Sequence, residues 1–346
     1  FWPKILRWNT ERILIVYCVR SRKAKKTKMT KSCTLTETAD LLRKAQKIVI
    51  VSHVSPDGDT LGSGLALMHA LRSLGKEVTL NVDDMIPSAY AFLPGIQEYR
   101  RFAPEETITA DLLVIVDASS ADRAGNALTV VKAPLVLNID HHKTNTRFAD
   151  CLYLDADAAA TAEIMYDLLQ TMQVPLTEAI ATCIYEGLYT DTGSFKYSNT
   201  TAHTLRTAAA LLEFGIDPSE ISDNMEVKSR SQIEMLQKVL GTLTFCQDGK
   251  VAYVEIAPEL YDPDVDTDVF VSYPRYIEGV EIALLFKQVD ENLTRVSFRS
   301  KGRDVAELAV TFGGGGHHRA AGCSIYAPLK AAEQKVLQAV EALFHE

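Results

Sequence analysis

Residues 47–82 read "KIVIVSHVSPDGDTLGSGLALMHALRSLGKEVTLNV", and this stretch decides the fold. It opens on a short apolar run, "KIVIVSH", and closes on another, "EVTLNV". Between them, Leu61, Leu65, Met68, Leu71 and Leu74 recur at helical spacing, which gives a helix one continuous apolar stripe. Short β-rich runs without alternation belong to strands buried on both faces, the usual state of a parallel sheet. Working outward, "LLVIVD" (112–117) and "PLVLNID" (134–140) add two more such runs. Strands alternating with helices in this way imply a parallel sheet covered by helices.

Helices are expected at 160–172, 177–189 and 200–214, where "EFGIDPSE" supplies a Gly stop and Pro218 opens the next helix. Residues 219–240 read as further helices. The pattern then changes: "GTLTFCQDGKVAYVEI" (241–256) reads as a hairpin around Asp248-Gly249. Strands at 280–289 and 293–299, a helix at 303–312, a glycine run and a last helix at 328–344 follow. The expected architecture is therefore an α/β domain over 29–216, a helical linker over 217–240 and a smaller α/β domain over 241–346.

With 346 residues, 47% hydrophobic and 23% charged, the chain suits a globular protein with two cores. Six cysteines at 18, 33, 151, 183, 246 and 323 show no CxxC and no regular spacing, which argues against a disulfide framework or a thiolate zinc site. A reducing, cytoplasmic setting is expected. The first 28 residues hold nine Lys and Arg against one Glu; with net charge −9 overall, the rest of the chain carries −17. "ILIVYCV" (13–19) is too short to span a bilayer, so this basic extension is expected to be disordered or non-native sequence before Met29, a membrane-surface anchor being the alternative. An acidic body does not attract nucleic acid broadly, so an anionic substrate has to be drawn by a local site.

Ligands of open parallel sheets collect at the carboxyl ends of the strands. Here those ends carry His53 with Asp57 and Asp59, then Asp117, then Asp140-His141-His142, while Asp191 sits where a helix runs out into Thr192-Gly193. Singly, each has an ordinary reading: Asp57 as a helix cap, Asp59 or Asp191 as a turn acceptor, His53 as a core histidine. Together on one rim they would repel one another, and divalent cations would neutralise them. On extended chain, Asp140 and His142 should share one side and His141 take the other. Mixed carboxylate and imidazole donors suit Mn²⁺ or a similar first-row ion, and the number of acids suits two ions sharing an aspartate, an arrangement that serves in-line attack on phosphorus.

The second half offers groups for a phosphate. "TRVSFRSKG" (294–302) supplies Arg295, Arg299 and Lys301, and "FGGGGHHRAAGC" (312–323) supplies backbone amides flanked by His317 and Arg319. The glycine run is read as a loop that approaches an anion or nucleotide closely.

The segments "VSHVSPDGDTLGSGLAL", "VIVDAS", "NIDHHKTN" and "GLYTDTGSF" resemble the four successive motifs of the DHH phosphoesterase superfamily. "VSFRSKGRDVAELAVTFGGGGHHRAAGCSI" resembles its DHHA1 domain, and the layout is similar to the bacterial oligoribonuclease and pAp-phosphatase (nanoRNase) group. The resemblance implies a DHH domain and a DHHA1 domain with the active site in the cleft between them. It implies that His53 and Asp57 hold one Mn²⁺, that Asp59 and His141 hold a second, that Asp117 bridges both and that Asp191 completes the site. His142 would contact the scissile phosphate or the nucleophile, with Asp140 orienting the histidines. Arg299, Ser300, Lys301, Gly315, Gly316 and His317 would bind the far end of the substrate. His318 departs from the lysine or proline often found at its position.

The implied activity is hydrolysis of short 5′-phosphorylated RNA to mononucleotides and of 3′-phosphoadenosine 5′-phosphate (pAp) to AMP, with no stable hold on long nucleic acid, no membrane partner and room for a homodimer. The alternatives are a soluble phosphodiesterase of cyclic-di-AMP or linear dinucleotides, and an inactive nucleotide-binding sensor. Family II pyrophosphatases lack the glycine-run motif, RecJ-type exonucleases carry an added nucleic-acid-binding fold, and membrane-bound cyclic-di-AMP phosphodiesterases carry membrane and sensory domains.

Overall fold

The computed structural model describes residues 29–263 and 265–344; the basic extension expected over 1–28 lies outside them. The chain forms two compact units that divide between Glu226 and Val227.

The first unit runs β1 (Lys31–Ser32), α1 (Leu35–Lys44), β2 (Lys47–Val51), α2 (Gly58–Ser73), β3 (Glu77–Asn81), β4 (Tyr99–Arg100), β5 (Ile108–Thr109) and β6 (Leu112–Val116). It continues through α3 (Ala127–Val130), β7 (Val131–Lys132), β8 (Val136–Asp140), β9 (Cys151–Leu154), α4 (Thr161–Thr171), α5 (Glu178–Asp191), α6 (Ala202–Leu212) and α7 (Pro218–Glu226). Seven strands form one sheet in the order β1-β9-β8-β6-β2-β3-β4, and every pairing in it is parallel. The runs read from sequence as buried strands are its centre: all of β6 is buried, as is β2 from Ile48 onward. From β2 the chain goes to β3 on one side and returns to β6 on the other. The switch point of the sheet therefore falls between β2 and β6, the place where ligands of such sheets collect. His53 follows β2 and Asp117 follows β6, so both stand at that point.

β8 ends at Asp140, and helices α2 and α5 bring Asp57, Asp59 and Asp191 to the same end. They cross so closely that a Cβ at Gly62 would lie 2.2 Å from the Cys183 carbonyl oxygen, which excludes any larger residue there. Asp57 is the N-cap of α2, its side chain accepting from Thr60 N–H at 3.1 Å, so the helix starts earlier than its apolar stripe. The helices α4, α5 and α6 fall where the sequence places them. Helix α1 and strands β1 and β9 are additions to the sequence reading.

The second unit contains α8 (Arg230–Leu240), β10 (Thr244–Cys246), β11 (Val251–Ile256), α9 (Ser272–Tyr276), β12 (Ile282–Asp290), β13 (Leu293–Ser300), α10 (Val305–Thr311), β14 (Gly315–His317), β15 (Ala320–Ile325) and α11 (Leu329–Ala342). Its sheet has the order β10-β11-β12-β13-β15-β14, antiparallel except between β11 and β12. One face packs Phe286 and Phe298 against Val336 of α11; the other packs Val254 and Leu285 against Val239 of α8 and Phe270. The stretch 217–240, read as a linker, is shared out: Ile221 of α7 joins the core of the first unit, and Met235, Leu236 and Val239 of α8 join that of the second.

Candidate metal centre

Asp117 leaves β6 with a φ of 58°, a left-handed conformation that aspartate tolerates better than most residues. Strain of this kind at a strand end belongs to sites where a side chain must be aimed. The Asp117 carboxylate lies between two groups of ligand-type atoms. Its Oδ2 is 3.3 Å from His53 Nε2, which is itself 3.6 Å from Asp57 Oδ2. Its Oδ1 is 3.6 Å from His141 Nε2, which lies 3.3 Å from Asp191 Oδ2 and 3.9 Å from Asp59 Oδ2. Within each set, His53–Asp57–Asp117 and Asp59–His141–Asp191, the donor atoms lie within 4.8 Å of one another. A third such set joins Asp117, His141 and His142.

The Asp140–His142 pair is tight. His142 Nδ1 is 2.7 Å from Asp140 Oδ1, and the other oxygen of Asp140 accepts from Asn145 Nδ2 at 2.6 Å. The expected alternation of His141 and His142 across a strand does not hold. Strand β8 ends at Asp140, and both imidazoles come within 3.6 Å of Asp117 Oδ1. Their rings meet edge to face at 4.6 Å. His53 Nδ1 lies 2.9 Å from both the Val54 carbonyl and Arg123 Nη2. It cannot serve a donor and an acceptor at once; donating to Val54 leaves Nε2 as a ligand atom.

Charge explains why these acids fit cations. Burial, then the charges of Asp59 and Asp57, push the Asp117 carboxyl well above its usual range. Burial and the same neighbours raise Asp191, and burial raises Asp59 despite the helpful charge of His141. Asp57 goes the other way. Packing pushes it up, but the hydrogen bond and charge of His53, the Thr60 amide and Arg123 outweigh this and hold it low. For Asp140, burial is outweighed by its bonds to His142 and Asn145, which keep it ionised. Three acids raised by burial and by neighbouring carboxylates, set around imidazole nitrogens, are a donor set that divalent cations relieve.

In the second unit, Arg299 lies on β13 with Nη1 donating to the Phe298 carbonyl at 2.9 Å, and Lys301 Nζ donates to the Ile277 carbonyl at 2.8 Å. Ser300 is buried, its hydroxyl donating to the Arg303 carbonyl at 2.5 Å and its amide to the Arg319 carbonyl at 3.0 Å. The glycine run is only partly a loop, Gly313 and Gly314 lying outside any strand. Gly315–His317 is strand β14, paired with Ala320–Gly322 of β15. A Cβ on Gly316 would lie 2.5 Å from the Ala320 carbonyl, and its φ of 143° also favours glycine, so strand approach accounts for that residue. His318 bridges Asp304 Oδ2 at 2.9 Å and the Gly302 carbonyl at 3.1 Å, bonds that raise its pKa.

Family models for the DHH family, N-terminal domain, and for the DHHA1 domain match residues 47–188 and 248–346. A bifunctional oligoribonuclease and PAP phosphatase NrnA of Thermus thermophilus is 37% identical over 308 residues, covering 87% of this chain and 92% of the relative. The chain belongs to the DHH family. A protein of the same name from Mycoplasma pneumoniae is 30% identical, covering 84% of this chain and 90% of its own. The crystal structure of an exopolyphosphatase-related protein from Bacteroides fragilis superposes with a TM-score of 0.81 at 28% identity, covering 89% of this chain and 95% of that one. As a DHH phosphoesterase, the protein is a metal-dependent hydrolase of phosphoric esters. Among the described residues no helix is long and apolar enough to cross a membrane.

The geometry of this DHH protein adds residues that sequence reasoning passed over. Thr161, at the start of α4, touches both Asp59 and Asp117. Glu186, five residues before Asp191 on α5, is fully buried, and neither carboxylate oxygen has a hydrogen-bond partner among the described residues. Burial pushes its carboxyl from the usual 4.5 up to about 8. Between those values the folded protein holds a proton that the unfolded chain has lost, so stability falls as pH rises, by about 1.4 kcal/mol per unit. The contribution is full below about 4.5 and gone above about 8. Glu186→Gln removes this dependence. Urea unfolding of metal-free protein should show the variant gaining roughly 3 kcal/mol on the unsubstituted chain between pH 5 and 8. Parallel pH profiles for the two proteins would contradict a neutral Glu186.

Proposed function

We propose that this protein hydrolyses short oligoribonucleotides to mononucleotides and removes the 3′-phosphate of pAp to give AMP, using two Mn²⁺ ions. The observation that carries the reading is Asp117, with one oxygen toward the His53–Asp57 set and the other toward the Asp59–His141–Asp191 set. The names of the Thermus and Mycoplasma relatives support the substrate class. In this reading His53 and Asp57 would hold one ion and Asp59 and His141 the other, with Asp117 shared between them and Asp191 completing the donor set. Bound there, the cations supply Lewis acidity to the phosphoryl oxygens and neutralise charge that develops at phosphorus.

The protein's own groups do the rest. Asp140 keeps a proton on His142 Nδ1, so Nε2 is the atom left for a phosphoryl oxygen or the attacking water. Asn145 anchors Asp140 from behind. Arg299 and Lys301, with the amides of Gly315, Gly316 and His317, hold the part of the substrate away from the reacting phosphate. Ser300, its hydroxyl spent on Arg303, braces that segment.

Steady-state kinetics with Mn²⁺ on pAp, on dinucleotides to pentanucleotides and on cyclic-di-AMP test the reading. The expected kcat/KM for pAp and the short linear RNAs is at least about tenfold above that for cyclic-di-AMP, a difference of 1.4 kcal/mol in transition-state stabilisation. A preference for cyclic-di-AMP would replace the substrate assignment, and no turnover of any of them would remove the enzymatic one.

A further inference from the structure

Helix α4 starts without a side-chain cap of its own, because its N-cap residue is Ala160. Its first amides are satisfied across the chain. Thr161 N–H donates to Asp59 Oδ2 and Ala162 N–H to Asp59 Oδ1, each at 2.7 Å. The Thr161 hydroxyl then donates to Asp117 Oδ1 at 2.8 Å. Thr161 and Asp59 are fully buried, and Asp117 is 2% exposed, so no water competes for these bonds.

We propose that Thr161 is a positioning residue of the metal centre, holding Asp59 by its amide and Asp117 by its hydroxyl so that both carboxylates keep their aim before a cation arrives. The inference rests on the metal reading above and adds to it a direction. Asp117 Oδ1, the oxygen bound by Thr161, is the one beside His141, while Oδ2 faces His53. The hydroxyl therefore acts on the side of Asp117 that faces the Asp59–His141–Asp191 set. A carboxylate oxygen has two lone pairs, so Oδ1 can accept from Thr161 and still face a cation. The positive end of the α4 dipole also partly compensates Asp59. A residue that orients a ligand in this way is worth about 10- to 100-fold in metal affinity.

The test is calorimetric titration of metal-free protein with Mn²⁺, which reads each binding step without relying on activity. Thr161→Val keeps the amide and the branched shape but loses the hydroxyl; Thr161→Ser restores it. The expected result is that the valine variant keeps one Mn²⁺ step within about threefold and weakens the other by about 10- to 100-fold, with the serine variant close to the unsubstituted chain. Thr161→Ala, which also lacks the hydroxyl, should behave as the valine variant and stands in for it if valine does not fold. Equal weakening of both steps, or no weakening, overturns the proposal. So does failure of both hydroxyl-free variants to fold, which would make the role structural. Failure of the unsubstituted chain to bind two Mn²⁺ would instead refute the two-ion reading itself.

Discussion

Asp117→Ala lowers the turnover of pAp by on the order of 10³-fold or more, about 4 kcal/mol of barrier. The reason is its place between both ligand sets, 3.3 Å from His53 Nε2 through one oxygen and 3.6 Å from His141 Nε2 through the other. Among the described residues no other acid of the site makes both contacts, so on the two-ion reading no neighbour replaces it. Alanine keeps the backbone bond from residue 117 N–H to the Ile139 carbonyl but adds strain at a φ of 58°, so the unfolding curve separates lost stability from lost chemistry. The measurement is kcat at saturating Mn²⁺ alongside a thermal unfolding curve. A folded variant that keeps a tenth of the original turnover would refute the bridging role.

Arg299→Ala has the second large effect, and it falls on binding. Loss of one charged hydrogen bond costs about 1.5–3 kcal/mol, so KM for short oligonucleotides should rise roughly 10- to 150-fold. The Arg299 guanidinium belongs to the unit without the metal ligands, on a strand whose next residue, Ser300, is locked inward. Hydrolysis of bis-p-nitrophenyl phosphate, too small to use a distal grip, should change little in kcat, and the preference for oligonucleotides over it should disappear. If the variant loses activity on both substrates with Mn²⁺ still bound, Arg299 acts at the reacting phosphate instead.

The parts legible in the sequence are those with a strong local signal. β2, β6 and β8 are unbroken apolar runs, and each ends on residues whose side chains have no business in a core, so both the sheet and its functional rim can be read together. Helix α1 also has a local signal, the Thr34–Glu37 capping box, but it precedes the first strong strand, where the alternation of strands and helices begins. β1 and β9 are short, and β1 is exposed and polar, so only their pairing, β9 to β8 and β1 to β9, reveals them. The strand inside the glycine run has no local signal, for a physical reason. Without side chains a strand has no alternation to read, and the closeness that demands glycine is made by β15, a partner that local pattern does not name. Thr161 was invisible for a similar reason: its value lies in two carboxylates more than forty residues away in sequence.

The most direct test follows AMP release from pAp while metal-free protein is titrated with Mn²⁺. Two ions sharing Asp117 predict little turnover at one equivalent and a steep rise to the maximum as the second is bound. Full activity at one equivalent, or none after two, would contradict the account.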